Sequence, residues 1–171
     1  NSSLITPIVT NLSMRTNDNL TLAFWWKAAG SLDAQTFVSK RAETNLHTGL
    51  YFGFDGNIRY YLHTKLDNCA KFNVSVQTGV WYHVTLVKRG TTWEVYHNGN
   101  RLGISDSTGW PYNQDVTLSV PLVFGRDQVC GYQFNGWLDE IHGFPRALSE
   151  LEISQLALLS APSNTVSLQI S

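Results

Sequence analysis

The chain has 171 residues, of which 43% are apolar and 12% aromatic, enough to bury one sizeable core and too many for a disordered chain. Twelve Lys and Arg against thirteen Asp and Glu leave a net charge of -1, which provides no basic field for nucleic acid. Charged residues make up only 15%, below the roughly 25% of an average soluble domain, and no apolar run reaches the roughly 18 to 20 residues that cross a bilayer. The surface is therefore expected to be polar and weakly charged, without membrane insertion. Because the chain opens at Asn1 with neither an initiator Met nor a signal peptide, it is expected to be a mature protein or an excised module.

No repeat, low-complexity tract or linker divides the sequence, so residues 1–171 read as one domain. Short runs of period two, rich in aromatic and β-branched residues, predict strands at Thr21–Ala28, Thr36–Lys40, Gly49–Phe54, Ile58–His63, Phe72–Val76, Trp81–Lys88, Trp93–His97, Val116–Val120 and Trp137–Phe144. Asp55-Gly56 and Asn98-Gly99 lie between such runs and supply the positive φ of two-residue hairpin turns. From Ser149 the period changes: Leu151, Ile153, Leu156 and Leu159 recur at helical spacing, and Ser149 with Glu152 forms a capping-box sequence. After Pro162, alternation of Val166, Leu168 and Ile170 predicts a closing strand beside the N-terminal segment. The fold class that follows is all-β: a two-sheet antiparallel sandwich with one short C-terminal helix.

Cys69 and Cys130 stand in no CxxC and beside no histidine cluster, so they do not make a zinc site. A structural disulfide and a pair of core thiols are the two alternatives. Four glycosylation sequons, starting at Asn1, Asn11, Asn19 and Asn73, favour an extracellular or secreted setting. In that setting the cysteines are expected to pair, and a bridge over such a loop stabilises by roughly 4 kcal/mol in the chain-entropy account.

The stretch Phe134-Asn135-Gly136-Trp137-Leu138-Asp139-Glu140-Ile141, then Pro145-Arg146-Ala147-Leu148-Ser149 and Glu152-Ile153, resembles the C-terminal signature of laminin-G-like, concanavalin-A-like jelly rolls. Upstream, Phe24-Trp25-Trp26-Lys27, Phe37-Val38-Ser39-Lys40, Trp81-Tyr82-His83-Val84 and Trp93 to Gly99 follow in the family's order. The resemblance implies a jelly-roll sandwich of a kind that binds glycans or proteins and also hosts some hydrolases. Fold alone does not choose among these. Read physically, Gly136 suits a close-packing or bulge position, Asp139 or Glu140 is expected to pair with Arg146 ahead of the helix, and most strand tryptophans belong to the core.

Retaining glycosidases need two carboxylates about 5 Å apart, which two strand residues of an E-x-D-x-E run would supply. None of Glu43, Glu94, Glu140, Glu150 and Glu152 sits in such a run. No serine lies in G-x-S-x-G, and the five histidines are scattered singly. The chain is therefore expected not to be an enzyme. Leu122 to Gln128 is similar to the calcium-ligand turn of pentraxins, and this implies Asp127 and Gln128 as calcium ligands; Val129 stands where that pattern has a carboxylate, which lowers the ligand charge on which calcium affinity depends.

Sugar recognition needs ring faces for the apolar side of the sugar and planar polar groups for its hydroxyls. Trp110, Tyr112 and Tyr132 are expected to supply rings, with Asn113, Arg59 and Asp127 orienting hydroxyls. The alternative for Trp110 is a plug folded down over the sandwich edge. Arg59, Tyr61 and His63 share one side of a strand whose other side carries Ile58, Tyr60 and Leu62, so Tyr61 joins the candidates; the two readings of that side are a concave groove and a solvated face on which Tyr61 only covers its neighbours. The expected function is a non-catalytic, secreted or cell-surface recognition module for carbohydrate; a protein-protein adhesion module is the alternative, and a glycoside hydrolase the third.

Overall fold

A computed structural model of the chain describes residues 4–5, 14–41, 48–65, 68–108, 120–127, 129, 131–158, 162 and 168–170. In chain order the strands are β1 (Leu4–Ile5), β2 (Leu20–Ala28), β3 (Gln35–Arg41), β4 (Thr48–Phe54), β5 (Arg59–Lys65), β6 (Asn68–Asn73), β7 (Tyr82–Arg89), β8 (Thr92–His97), β9 (Asn100–Arg101), β10 (Asp106–Thr108), β11 (Val123–Phe124), β12 (Gly136–Phe144) and β13 (Leu168–Ile170), with one helix, α1 (Glu150–Leu158). They form two sheets of order β1-β11-β3-β4-β5-β6-β10 and β13-β12-β2-β7-β8-β9. Every pairing between these strands is antiparallel. The chain is thus a two-sheet antiparallel sandwich with a short helix, consistent with a jelly roll.

Alternation decides what lies between the sheets. Along β2, Leu20, Leu22, Phe24, Trp26 and Ala28 face inward and meet Phe37, Phe52, Phe54, Tyr60, Leu62 and Phe72 from the opposite sheet. Trp26 lies at the centre, its ring 5.0–6.3 Å from those of Tyr82, Phe37, Phe54, Tyr60 and Phe134. Its indole N–H donates to the Tyr60 hydroxyl at 3.0 Å, and that hydroxyl is 2.9 Å from His97 Nδ1. The polar ends of two large buried rings are satisfied in this way.

The capping box at α1 forms as its sequence implies: Ser149 N–H donates to the Glu152 carboxylate at 2.8 Å, and Glu152 N–H returns to Ser149 Oγ at 3.3 Å. Ile153 and Leu148 then pack on Val87 and Tyr96 of the six-stranded sheet. Other expectations are corrected. Leu151 is 69% exposed and does not share the packed face, because the helix touches the sheet through Ile153 and Leu156. Arg146 pairs with Glu152, while Glu140 pairs with His142; a bulge between Asp139 and His142 carries Glu140 at φ 48 and redirects it. The closing strand β13 joins β12, whereas the N-terminal β1 belongs to the other sheet. Strand β6 ends at Asn73, so Val74 and Val76 lie beyond it. Residues 116–119 and 163–167 lie outside the described residues.

The two hairpins differ. Asn98 (φ 48) and Gly99 (φ 79) both take positive φ between His97 and its partner Asn100, which is the expected two-residue turn. The other loop is longer: Asp55 N–H bonds Arg59 C=O, and Gly56 (φ 84) and Ile58 (φ 56) are its left-handed residues.

Candidate functional site

Strand β5 turns Tyr60 and Leu62 into the core and leaves Arg59, Tyr61 and His63 on the outer face of the seven-stranded sheet. Register builds that face in rows. Ser39, Tyr51, His63 and Cys69 align across β3 to β6, Gly53, Tyr61, Lys71 and Asp106 form the next row, and Arg59 faces Asn73 in the third. A hairpin-like fold-back supplies a wall: Gly125 N–H bonds Phe37 C=O, Phe134 N–H bonds Gly125 C=O, and Asp127 N–H bonds Tyr132 C=O, at 2.8, 2.8 and 2.9 Å. Ser39 Oγ donates to Arg126 C=O at 2.9 Å and ties this wall to β3. Between wall and sheet runs a groove of about 430 Å³ lined by Tyr51, Tyr61, His63, Tyr132, Arg41, Arg59 and Lys71 among others.

Each of these cations has its own carboxylate. Arg41 meets Asp127 at 3.1 Å with both side chains buried, Arg59 grips Asp55 Oδ2 through Nε (2.9 Å) and Nη2 (2.6 Å), and Lys71 meets Asp106 at 3.0 Å. Asn57 N–H holds the other Asp55 oxygen at 2.9 Å. The Lys71 hydrogen bond and charge hold the Asp106 carboxyl below its ordinary range. The groove is therefore rich in polar groups yet nearly neutral.

Its rings form a connected set. Tyr51 and Tyr61 are 5.7 Å apart at 65°, Tyr61 and His63 are 6.0 Å apart at 16°, and the Arg41 guanidinium carbon lies 5.8 Å over Tyr51. Burial above all pushes the Tyr51 hydroxyl up to about 12. Burial, then Cys69, raises Tyr61 as well. Both phenols remain protonated near neutral pH and can donate as well as accept. Tyr132 is 48% exposed at the rim.

Of the residues expected from sequence, Arg59, Tyr61 and Tyr132 thus meet in one groove, with Asp127 beneath its wall. Trp110, Tyr112, Asn113, Gln128 and Cys130 lie outside the described residues. Cys69 is buried on the groove side of β6, and its expected partner Cys130 lies outside the described residues. Asp127 does not fit the calcium role: its carboxylate is buried against a guanidinium, where a second cation would be repelled. Among the described residues no three His, Cys, Asp or Glu gather as a metal site. Sequence reading missed Tyr51 and Lys71, although the hairpin registers place both beside Tyr61; the pairing of Arg41 with Asp127 has no local signal.

A second depression, of about 620 Å³, adjoins the first and shares Asn57 and Arg59 with it. The opposite sheet offers less: Trp81 and Trp137 enclose the Lys27 ammonium at 4.8 and 4.5 Å, and Trp25 packs on His83. Those rings already have an intramolecular partner.

The same fold occurs in domain 4 of AbnA, an extracellular arabinanase from Geobacillus stearothermophilus solved with arabinotriose, at 19% identity and TM-score 0.67, covering 91% of this chain and 72% of that one. It occurs in a heptameric pentraxin from Limulus polyphemus, at 19% identity and TM-score 0.61, covering 96% of this chain and 87% of that one. A Trypanosoma rangeli sialidase contains it too, at 16% identity and TM-score 0.59, covering 83% of this chain and 23% of that one. No curated protein sequence matches the chain. With residues 3–154 matching its sequence profile, the chain belongs to the concanavalin A-like lectin/glucanases superfamily.

Proposed function

We propose that the protein is a non-catalytic, extracellular recognition module that seats a neutral carbohydrate on the outer face of its seven-stranded sheet. The observation that carries this reading is a tyrosine-lined groove in which Arg41, Arg59 and Lys71 are each matched by a carboxylate. Rings cover the apolar side of a sugar, and ion-paired planar groups with fixed orientation hydrogen-bond its hydroxyls, while the lack of net charge removes any preference for an acidic ligand. Arabinotriose bound to the arabinanase domain supports the ligand class. The sequons, and the extracellular location of that arabinanase, support the setting. A non-catalytic role is supported by the acids themselves: hydrolysis needs one carboxylic acid kept protonated, and Asp55, Asp106 and Asp127 each face a cation.

A broad glycan array, run in calcium and in chelator, tests the reading. Neutral saccharides are expected to score equally in both, and Tyr61→Ala is expected to weaken the best of them by roughly tenfold to a hundredfold, as loss of an aromatic anchor does. An array without saccharide hits overturns the proposal in favour of a protein adhesion module. Turnover of a hit overturns the non-catalytic part.

A further inference from the structure

We infer that the ligand is an extended oligosaccharide that leaves the tyrosine groove along β5, passes over Arg59 and places a further sugar unit on a second subsite at the Ile58 hairpin tip. The inference rests on the carbohydrate reading above and adds the length and path of the ligand.

Ile58 is the starting observation. Its φ of 56 puts a β-branched residue in the left-handed region, where glycine or asparagine would sit with far less strain. Core packing does not explain the choice, because Ile58 is 42% exposed. Its side chain instead lines the 620 Å³ depression together with Val74 and Val76, and Asn57 and Arg59 stand where that depression meets the groove. Aliphatic surface bordered by an amide and a guanidinium matches a sugar unit, with its C–H face and its edge of hydroxyls.

Continuity fixes the direction. Asn57 and Arg59 line both depressions, so the two adjoin at these residues and a chain leaving one reaches the other there. On β5, His63, Tyr61 and Arg59 follow one another on the groove side, a span of four residue steps or about 13 Å, and Ile58 comes next. Arg59 stands at the junction, held by two contacts to Asp55 Oδ2.

The test uses the intact chain and a neutral, linear series of the array's best saccharide, from disaccharide to hexasaccharide, titrated calorimetrically. Wild type is expected to bind the hexasaccharide more tightly than the disaccharide. Ile58→Asn, which relieves the backbone, is expected to raise Tm by roughly 2–4 °C, leave the disaccharide unchanged and weaken the hexasaccharide roughly fivefold. Ile58→Ala keeps the strained backbone without the side chain, and is expected to weaken the hexasaccharide alike without the gain in Tm. Equal affinities for the two lengths in wild type, or hexasaccharide binding unaltered in both variants, overturns the second subsite while leaving the groove intact. Absence of binding by any saccharide instead overturns the groove reading and this inference with it.

Discussion

Asp127 carries two opposed demands: a calcium ligand must be open to an ion, whereas a partner for Arg41 must be closed around a guanidinium. The 3.1 Å contact between buried side chains meets the second demand. Asp127→Ala would leave the Arg41 charge buried without this partner, and should destabilise by about 3–5 kcal/mol, measured by urea unfolding; the double replacement Arg41→Met with Asp127→Leu should recover most of that loss. Recovery absent from the double variant would mean that Asp127 acts through other contacts. Calcium provides an independent check, since an ion bound only to the folded state raises Tm by mass action. The Tm is expected to be the same in excess calcium and in chelator. At this scale the sequence is legible where a side chain's direction follows from strand alternation, as for Arg59 and Tyr61. It is silent where two residues 86 positions apart meet across a fold-back, as Arg41 and Asp127 do.

Among the elements, β12 shows how a motif can be structural. A Cβ on Gly136 would lie 2.1 Å from the Lys27 carbonyl oxygen and 2.7 Å from the Phe134 ring. The nearer of these is backbone, so β12 would have to leave β2, its partner from Gly136 to Phe144. Gly136→Ala should therefore cost about 2–4 kcal/mol, while Gly103→Ala, with nothing within 4 Å of the added Cβ, should be close to neutral; equal urea midpoints for the two variants would contradict the close-packing account. The long strands were readable because one side of each is apolar, and α1 because its cap is written in Ser149 and Glu152. Val74 and Val76 are half-buried and alternate as strand residues do, yet they pack from a segment beyond β6. The Asp55-Gly56 turn departs from the two-residue form because Ile58 takes a positive φ, which propensity argues against. That departure lies in the depression that adjoins the groove.

The whole molecule has a titration of its own, because two histidines sit where the charged form is poorly solvated. His83 is buried on the outer face of the six-stranded sheet against Trp25, and His97 shares the Tyr60 hydroxyl with the core. Burial lowers both to about 4; for His83, repulsion from His142 and His97 adds to it. An unfolded chain takes up these protons near pH 6.5, whereas the folded chain holds the rings neutral until about pH 4. Stability is therefore at its full value above pH 6.5, declines as pH falls from there to about 4, and loses nothing more from these residues below it. For His83, 2% exposed, the loss is on the order of 3 kcal/mol; half-buried His97 adds less, since solvent screens it. Glu152 works in a lower window: Arg146 first, and then the Ser149 hydrogen bonds, lower it to about 2, so its contribution fades only below the ordinary carboxylate range. Urea unfolding at half-unit steps from pH 7.5 to 4.5 should show a steady fall beginning near pH 6.5, and His83→Gln should flatten part of it even if the variant starts less stable, because the slope reports proton uptake and not the absolute free energy. A wild-type profile that stays level down to pH 4.5 would mean that the fold admits a charged imidazole at these positions, and that His83 and His97 are better solvated than their surroundings indicate.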